Sequence, residues 1–414
     1  MSEHVLIVGP GRDFPGRLRG AKPDVRTTVI CDITYIGRVR EPGGNNRVLC
    51  LRKDAPEQEW TALAGAVHAF DPFTRVATFG EFDQFAYAAI AETLGLPGHS
   101  PDTVNLVHDK DAMRTWLREK GIDGACAARV EDLDELRDFV RQHGLPCIVK
   151  PVSSSSSAGV SKIGSEADLE RAFHRASGSG TGVLVEEFFD GLQFSVEAFS
   201  ESGEHEVIGV TRKYSDPLSF VELGHVSPAE LTADERQGIE AYVKRILEAI
   251  GVRNGPTHTE VVLTTKGPRV IETHIRMGGD KIPDLTKDAT AVDIDDCAVR
   301  QTLGEQVLPG IRAALAAEDR PTRASSIWYA SVDSAGVLES VAGREKAAAV
   351  PGVTEVTMLA EPGTAIGALA DSDSRLAYTR ALADNAEGAV TAARDAVSHL
   401  EFHLKARAQT TETI

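Results

Sequence analysis

The sequence predicts a protein of mixed α/β and α+β class. It begins with an open parallel α/β domain, continues into a region of amphipathic helices, strands and a long hairpin, and ends in a mixed α+β region. Three observations predict this. The 414 residues allow two to four structural units at roughly 100–200 residues each. Residues 4–105 carry short continuous apolar runs separated by helix-length gaps, the pattern of a parallel sheet covered on both faces. From Asp109 the pattern changes to amphipathic helices, single strands and a long hairpin.

The apolar runs of the first unit are Val5–Val8, Thr28–Cys31, Val48–Leu51, Val67–Phe70 and Val76–Phe79, each expected to be a strand. The Gly9-Pro10-Gly11 turn fails the dinucleotide fingerprint because Phe14 stands where the third glycine belongs. Asp109 is placed to cap a helix carrying Met113, Trp116 and Leu117 on one face, with Gly121 as its stop. A second helix carries Leu133, Leu136, Phe139 and Val140 and ends near Gly144. Strands follow at 146–150, 182–187 and 194–200, then a stretch without periodicity at 211–229. A helix near 232–250 precedes a hairpin at 257–275. Past about 325, short strands mix with two alanine-rich helical stretches, the last near 376–404.

Composition narrows the function classes. Hydrophobic residues make up 42% and charged residues 26%, ordinary for a globular chain. The net charge of −18 opposes a nucleic-acid partner, although one small anion needs only a few well-placed donors. No apolar stretch reaches the roughly 18–20 residues of a membrane span, and the first residues lack a signal-peptide pattern, so a cytoplasmic protein without membrane contact is expected. The five cysteines form no C-x-x-C pair and are expected to be reduced.

Two places carry chemistry. Lys150 closes the apolar run 147–149 and is followed by Ser153, Ser154, Ser155, Ser156, Ser157, Ala158 and Gly159. A lysine ending a buried strand calls for an anion, and small residues let backbone donors approach phosphate closely. A snorkelling lysine before an ordinary serine loop is the alternative. In the hairpin, a three-residue loop at 265–267 would place Thr264 opposite Pro268, Val262 opposite Val270, Glu260 opposite Glu272 and His258 opposite His274. Two facing carboxylates repel unless a cation joins them, and Mg²⁺ with phosphate oxygens is the simplest one, with Val262 beside it to pack on a purine. A solvated acidic edge strand is the alternative. Arg276, on the same parity, suits a phosphoryl group in transit or a structural salt bridge.

Taken in order, these residues resemble the ATP-grasp superfamily, and within it the carboxylate–amine ligases that include bacterial L-amino-acid ligases, carnosine synthase and, more distantly, biotin carboxylase. The likeness begins at Thr78–Glu81 and Leu94–Gly98, continues through Asp109–Arg114, and ends at Glu272–Gly279. It implies an N-terminal domain at 1–105, an ATP-grasp domain at 106–315 with a lid at about 123–187, and a C-terminal subdomain at 316–414. It implies ATP as cosubstrate, one or two Mg²⁺ ions with Mn²⁺ as a substitute, and a homodimer. Lys110 and Lys150 would contact phosphates beneath a loop of Ser153–Gly159. Glu186, Glu187, Phe189, Gln193 and Val262 would line the nucleotide slot, Gln193 replacing a common glutamate.

By the same likeness, Glu260 and Glu272 would bridge magnesium, with His274 standing where asparagine is usual. Glu222 would hold a substrate ammonium and His225 would sit by the reacting carboxylate. Arg276 and the backbone at Gly279 would bind the acyl phosphate, with Arg276, His225 and Lys150 as catalytic groups. Asp280, where relatives carry a bulky aromatic, implies a roomier or cation-tolerant pocket. The implied reaction joins an amino acid carboxylate to an amine through an acyl phosphate, releasing ADP and phosphate. A ligase acting on bicarbonate or a purine intermediate, or a nucleotide-binding protein without catalysis, are the alternatives.

Overall fold

The computed structural model describes residues 3–153, 159–178, 180–318 and 322–405. The first unit contains β1 (His4–Val8), α1 (Phe14–Ala21), β2 (Arg26–Asp32), β3 (Arg47–Leu51), α2 (Glu57–Phe70), β4 (Arg75–Thr78) and α3 (Gln84–Leu94). Its sheet runs β3-β2-β1-β4, all parallel, with Val5–Val8 fully buried in the middle as a strand covered on both faces must be. The expected strand at 67–70 is instead the end of α2. Trp60, Leu63, Ala64 and Val67 fall on one helical stripe that packs into the core, so the four-residue run belongs to a longer 3.6-period pattern. The Gly9 turn serves packing: at φ +91° an added Cβ would lie 2.1 Å from the Asp83 carboxylate.

Helices α4 (Pro101–His108) and α5 (Lys110–Glu119) lead into the insert. Asp109 caps α5 by accepting from the N–H groups of Asp111 and Ala112. The insert is an antiparallel sheet in the order β5-β8-β6-β7, made of β5 (Ala127–Val130), β6 (Cys147–Pro151), β7 (Ser161–Ile163) and β8 (Val183–Glu187). It is backed by α6 (Leu133–His143) and α7 (Leu169–Ser177) and has its own core around Leu136, Phe139, Val149 and Leu169.

The remaining elements are β9 (Leu192–Glu201), β10 (Glu204–Ser215), β11 (Glu222–Ser227), α8 (Ala233–Ala249), β12 (Gly255–Thr264), β13 (Gly267–His274), α9 (Ile282–Thr290), α10 (Ile294–Thr302) and α11 (Leu308–Ala316). They continue with β14 (Ala324–Ala330), β15 (Gly336–Ala342), α12 (Arg344–Ala348), β16 (Val353–Met358), β17 (Ala365–Ile366), β18 (Ala377–Ala383), α13 (Ala386–Ser398) and β19 (Glu401–Lys405). One antiparallel sheet takes the order β13-β12-β9-β10-β11-β14-β18-β16, so the C-terminal strands extend the central sheet. A small sheet β17-β15-β19 lies apart from it.

Two sequence readings change here. The stretch 211–229 holds the end of β10 and all of β11. The expected helix at 376–404 is a strand, then α13, then another strand, because residues 377–383 pair in register with β14. Among the described residues, no helix is long and apolar enough to cross a membrane.

The hairpin register differs in an instructive way. The loop is two residues, Thr265-Lys266, so Thr264 pairs with Gly267, Leu263 with Pro268 and Val262 with Arg269. Ile271 is then bulged out of the ladder, after which Glu260 faces Glu272 and His258 faces His274 as expected. The expected partners of Thr264 and Val262 were wrong by one residue, and the bulge cancels that offset before the carboxylates.

Candidate active site

One cavity of about 780 Å³ gathers residues of the insert, the eight-stranded sheet and the C-terminal segment. Lining it are Lys110, Lys150, Glu186, Glu187, Phe189, Gln193, Glu222, His225, Glu260, Val262, Glu272, His274, Arg276, Gly279 and Asp280, all expected from sequence. Ser153 and Gly159 are not among its lining residues. Ser153 is exposed and its backbone exchanges hydrogen bonds with the Thr181 hydroxyl, which holds it outside the wall. Ser154, Ser155, Ser156 and Ser157 lie outside the described residues.

Lys150 ends a buried strand and resolves its burial with Glu186, Nζ to Oε2 at 2.5 Å. Arg114 takes the other carboxylate oxygen at 2.7 Å and donates to the Val270 and Ile271 carbonyls, locking α5, β8 and β13 together. Burial would push the Glu186 carboxyl up, but Arg114 and Lys150 outweigh it and hold it at about 2. The Lys150 ammonium is pushed down by burial, Glu186 opposing, with Arg114 and Lys110 adding to the burial effect. The Glu186 side chain is thus the counter-ion of the cationic wall. An added phosphate would relieve the crowding of Arg114, Lys110 and Lys150.

Across the cavity, Glu272 accepts from Lys110 at 3.0 Å and contacts His274 at 3.1 Å. Glu260 contacts buried Lys213, His258 at 3.4 Å and the Gln193 amide at 3.3 Å. Burial works against both carboxylates, yet Lys213 and His258 bring Glu260 to about 2, and Lys110 and His274 draw Glu272 well below its usual range. His258 is itself raised to about 9: burial lowers it, and Glu197 at 2.6 Å overrides that.

The donor set suits magnesium. Two hard carboxylates share one face of the hairpin, and among the described residues no three His, Cys, Asp or Glu converge to hold an ion alone. Such hard oxygen donors are the kind that Mg²⁺ takes together with phosphate oxygens and water. His274, which the resemblance sets in the position of a possible further metal ligand, lies between two carboxylates. Its ring nitrogens face Glu272 at 3.1 Å and Glu81 at 3.2 Å; burial works against its charged form, and Glu272 and Glu81 outweigh it and raise its pKa.

Arg276 donates Nε and Nη2 to Glu81 at 2.8 and 2.6 Å, joining the N-terminal unit to the cavity. Glu222 contacts Lys213 at 3.2 Å and accepts from the Ser372 hydroxyl at 3.3 Å. Asp280 is not a free anion. Arg375 grips it with two hydrogen bonds of 2.7 Å, and His225 Nε2 lies 3.0 Å away, so its charge is already paired within the protein.

Lys213, Arg375 and Glu197 escaped the sequence reading, and Glu81 and Arg114 were noted only as part of a motif. Lys213 alone left a signal: a charge inside the run Val207–Thr211 and its continuation, at a parity opposite to Arg212.

Residues 143–284 match the ATP-grasp domain, and 328–405 match the L-amino acid ligase C-terminal domain 2. The chain is 30% identical over 349 residues to a protein of Sinorhizobium fredii named y4rH, covering 83% of this chain and 68% of that one. It is 26% identical over 258 residues to the alanine–anticapsin ligase of Bacillus subtilis, covering 56% of this chain and 54% of that ligase, so it spans about half of that relative. The L-amino acid ligase of Bacillus licheniformis superposes with a TM-score of 0.81 over 98% of this chain and 99% of that one, at 22% identity, which speaks to the fold. The chain belongs to the ATP-grasp family of carboxylate–amine ligases and carries an L-amino acid ligase C-terminal domain.

Proposed function

We propose that the protein joins the carboxyl group of an amino acid to an amine, using ATP and an acyl phosphate. The observation that carries this is the meeting of Lys110, Lys150, Glu260, Glu272 and Arg276 with the carboxylate of Glu222 in one cavity. A carboxylate is a poor electrophile until its oxygen receives the γ-phosphoryl group, ADP departing. The amine then attacks the carbonyl carbon, phosphate leaves with the former carboxylate oxygen, and the nitrogen loses a proton.

Lys110 and Lys150 bind and orient the phosphates, and Arg276 neutralises the transferring group. Glu260 and Glu272 would hold magnesium, which when bound would further neutralise phosphate charge. Glu222 shares Lys213 with Glu260, leaving negative charge for an ammonium. Gln193 and Val262 line the wall where ribose and purine would lie, with Glu187 and Phe189 near the base. Its relation to a ligase that names alanine and anticapsin supports amino acid substrates.

The test is incubation with ATP, Mg²⁺ and amino acid pools, following phosphate release and product mass. Phosphate release that depends on an amino acid pair supports ligation. Saturable ATP binding without turnover on any carboxylate overturns it.

A further inference from the structure

The hairpin reads the same in both directions around its carboxylates. His258-Thr259-Glu260 on β12 runs against Glu272-Thr273-His274 on β13, so acid faces acid and histidine faces histidine, the two imidazole rings 6.0 Å apart. Side chains two residues apart on a strand share a face, and each histidine reaches its own glutamate, at 3.4 Å on β12 and 3.1 Å on β13. The other ring nitrogen of each meets a carboxylate from outside the hairpin. Glu197 of β9 lies 2.6 Å from His258, and Glu81 lies 3.2 Å from His274.

The two outer acids differ. Glu81 also holds Arg276, whereas Glu197 has His258 as its partner and its Oε2 accepts no hydrogen bond among the described residues. Glu197 is 1% exposed, and a buried ion pair commonly gives no more stability than apolar groups of the same volume. Its place is nonetheless built. Glu197 pairs in register with His258 across β9 and β12. A Cβ on Gly278 would lie 2.8 Å from His258 Nδ1 and 3.1 Å from Glu197 Oε2, so the turn closes over the pair only with glycine there, although its backbone is not left-handed.

The arrangement ends on Glu260. Its Oε1 takes both Lys213 and the His258 ring, leaving Oε2 with the Gln193 amide at 3.3 Å. Lys213 grips from a flexible stem, whereas an imidazole anchored at Nδ1 has one direction left for Nε2.

We propose that Glu197 is a positioning residue for the metal site, fixing the Glu260 carboxylate through His258 in the orientation a divalent cation takes. This rests on the magnesium reading above. Outer partners orient metal-binding groups, and losing one weakens metal binding about ten- to a hundredfold.

The experiment measures Mn²⁺ affinity by the electron paramagnetic resonance of the free ion, with a non-hydrolysable ATP analogue bound, so that no turnover enters the readout. Glu197→Gln should weaken Mn²⁺ binding about tenfold or more and leave affinity for the analogue in EDTA within about twofold. In steady state, the Mg²⁺ concentration giving half-maximal rate should rise by the same factor, with kcat largely recovered at saturating Mg²⁺. Gly278→Ala, which drives a Cβ against the pair with Glu197 intact, should give the same loss, and the double variant should be little worse than either single one. Should Glu197→Gln not fold, Gly278→Ala and His258→Gln decide the matter, both expected to weaken Mn²⁺ binding. Wild-type Mn²⁺ affinity in these variants, an equal loss of analogue affinity in EDTA, or losses that multiply in the double variant overturn this proposal alone. A wild type that binds no Mn²⁺, or a Glu272→Gln variant that binds it undiminished, overturns the magnesium reading instead.

Discussion

Glu260 faces Glu272 across the hairpin because one residue, Ile271, is extruded from the ladder between them and the turn. A two-residue loop continued without that bulge would set Ile271 opposite Glu260 and turn Glu272 to the other face of the sheet. The bulge therefore creates the carboxylate pair, a common use of bulges beside active sites. Glu272→Gln keeps the shape and removes the charge. Turnover should fall about a hundredfold or more while the unfolding midpoint changes little. Phosphate release near the wild-type rate would refute the metal assignment.

Lys213 is the buried counter-ion of both Glu260 and Glu222. Replacing it with methionine leaves two carboxylates without their cation, which should cost about 3 kcal/mol or more of stability in urea unfolding. Millimolar Mg²⁺ should recover more of that loss in the variant than it adds to the wild type. Stability indifferent to the substitution would mean that Lys213 does not balance these acids.

Glu81 belongs to the N-terminal unit and orients Arg276 from 195 residues away in sequence. Glu81→Gln should lower kcat about tenfold or more through a mispositioned guanidinium, leaving ATP affinity within about twofold. A matching loss in ATP binding would show instead that the variant disturbs the whole cavity.

Asp83 offers a pH test. Burial, aided by the charge of Asp32, raises its carboxyl to about 6. The folded state thus holds a proton that the unfolded chain releases near pH 4, and this group subtracts stability as pH rises from about 4 to 6. Asp83→Asn should then stabilise the protein at pH 7.5 by about 1–2 kcal/mol, after discounting for partial exposure, and change little at pH 4. Glu81 has the opposite sign. Burial opposes it, but His274 and Arg276 hold it at about 2, so its contribution is complete above about pH 5 and fades as pH falls toward 2. Denaturation midpoints of Asp83→Asn at pH 7.5 and 4 check the first shift, and equal effects at each would contradict it; midpoints of Glu81→Gln followed from about pH 5 down to 2 check the second, whose destabilisation should shrink over that range.

Much of this was legible before any coordinates. Val5–Val8 and its parallel neighbours announce themselves because strands buried on two faces need no polar residues. Glu260 and Glu272 were found by counting outward from a turn, and the count survived only because two one-residue differences cancelled. The strands at 204–215 and 222–227 are obscured by the cavity they line: Lys213, Ser215, Glu222 and His225 face it and break the alternation that marks a strand. Arg375 left no local trace, since its meaning lies in Asp280, 95 residues earlier.

The eight-stranded sheet carries a practical consequence for anyone who would recombine this ligase with a relative. The seam between β11 and β14 pairs His225 with Ile327 and Gly224 with Trp328. Severing the chain near residue 318 would uncover the edge of the strand that carries His225 and Glu222, inviting intermolecular pairing. A chimaera that keeps the Ser372–Glu222 and Arg375–Asp280 contacts must therefore exchange β11, the Asp280 turn and the 371–375 loop as one inherited block.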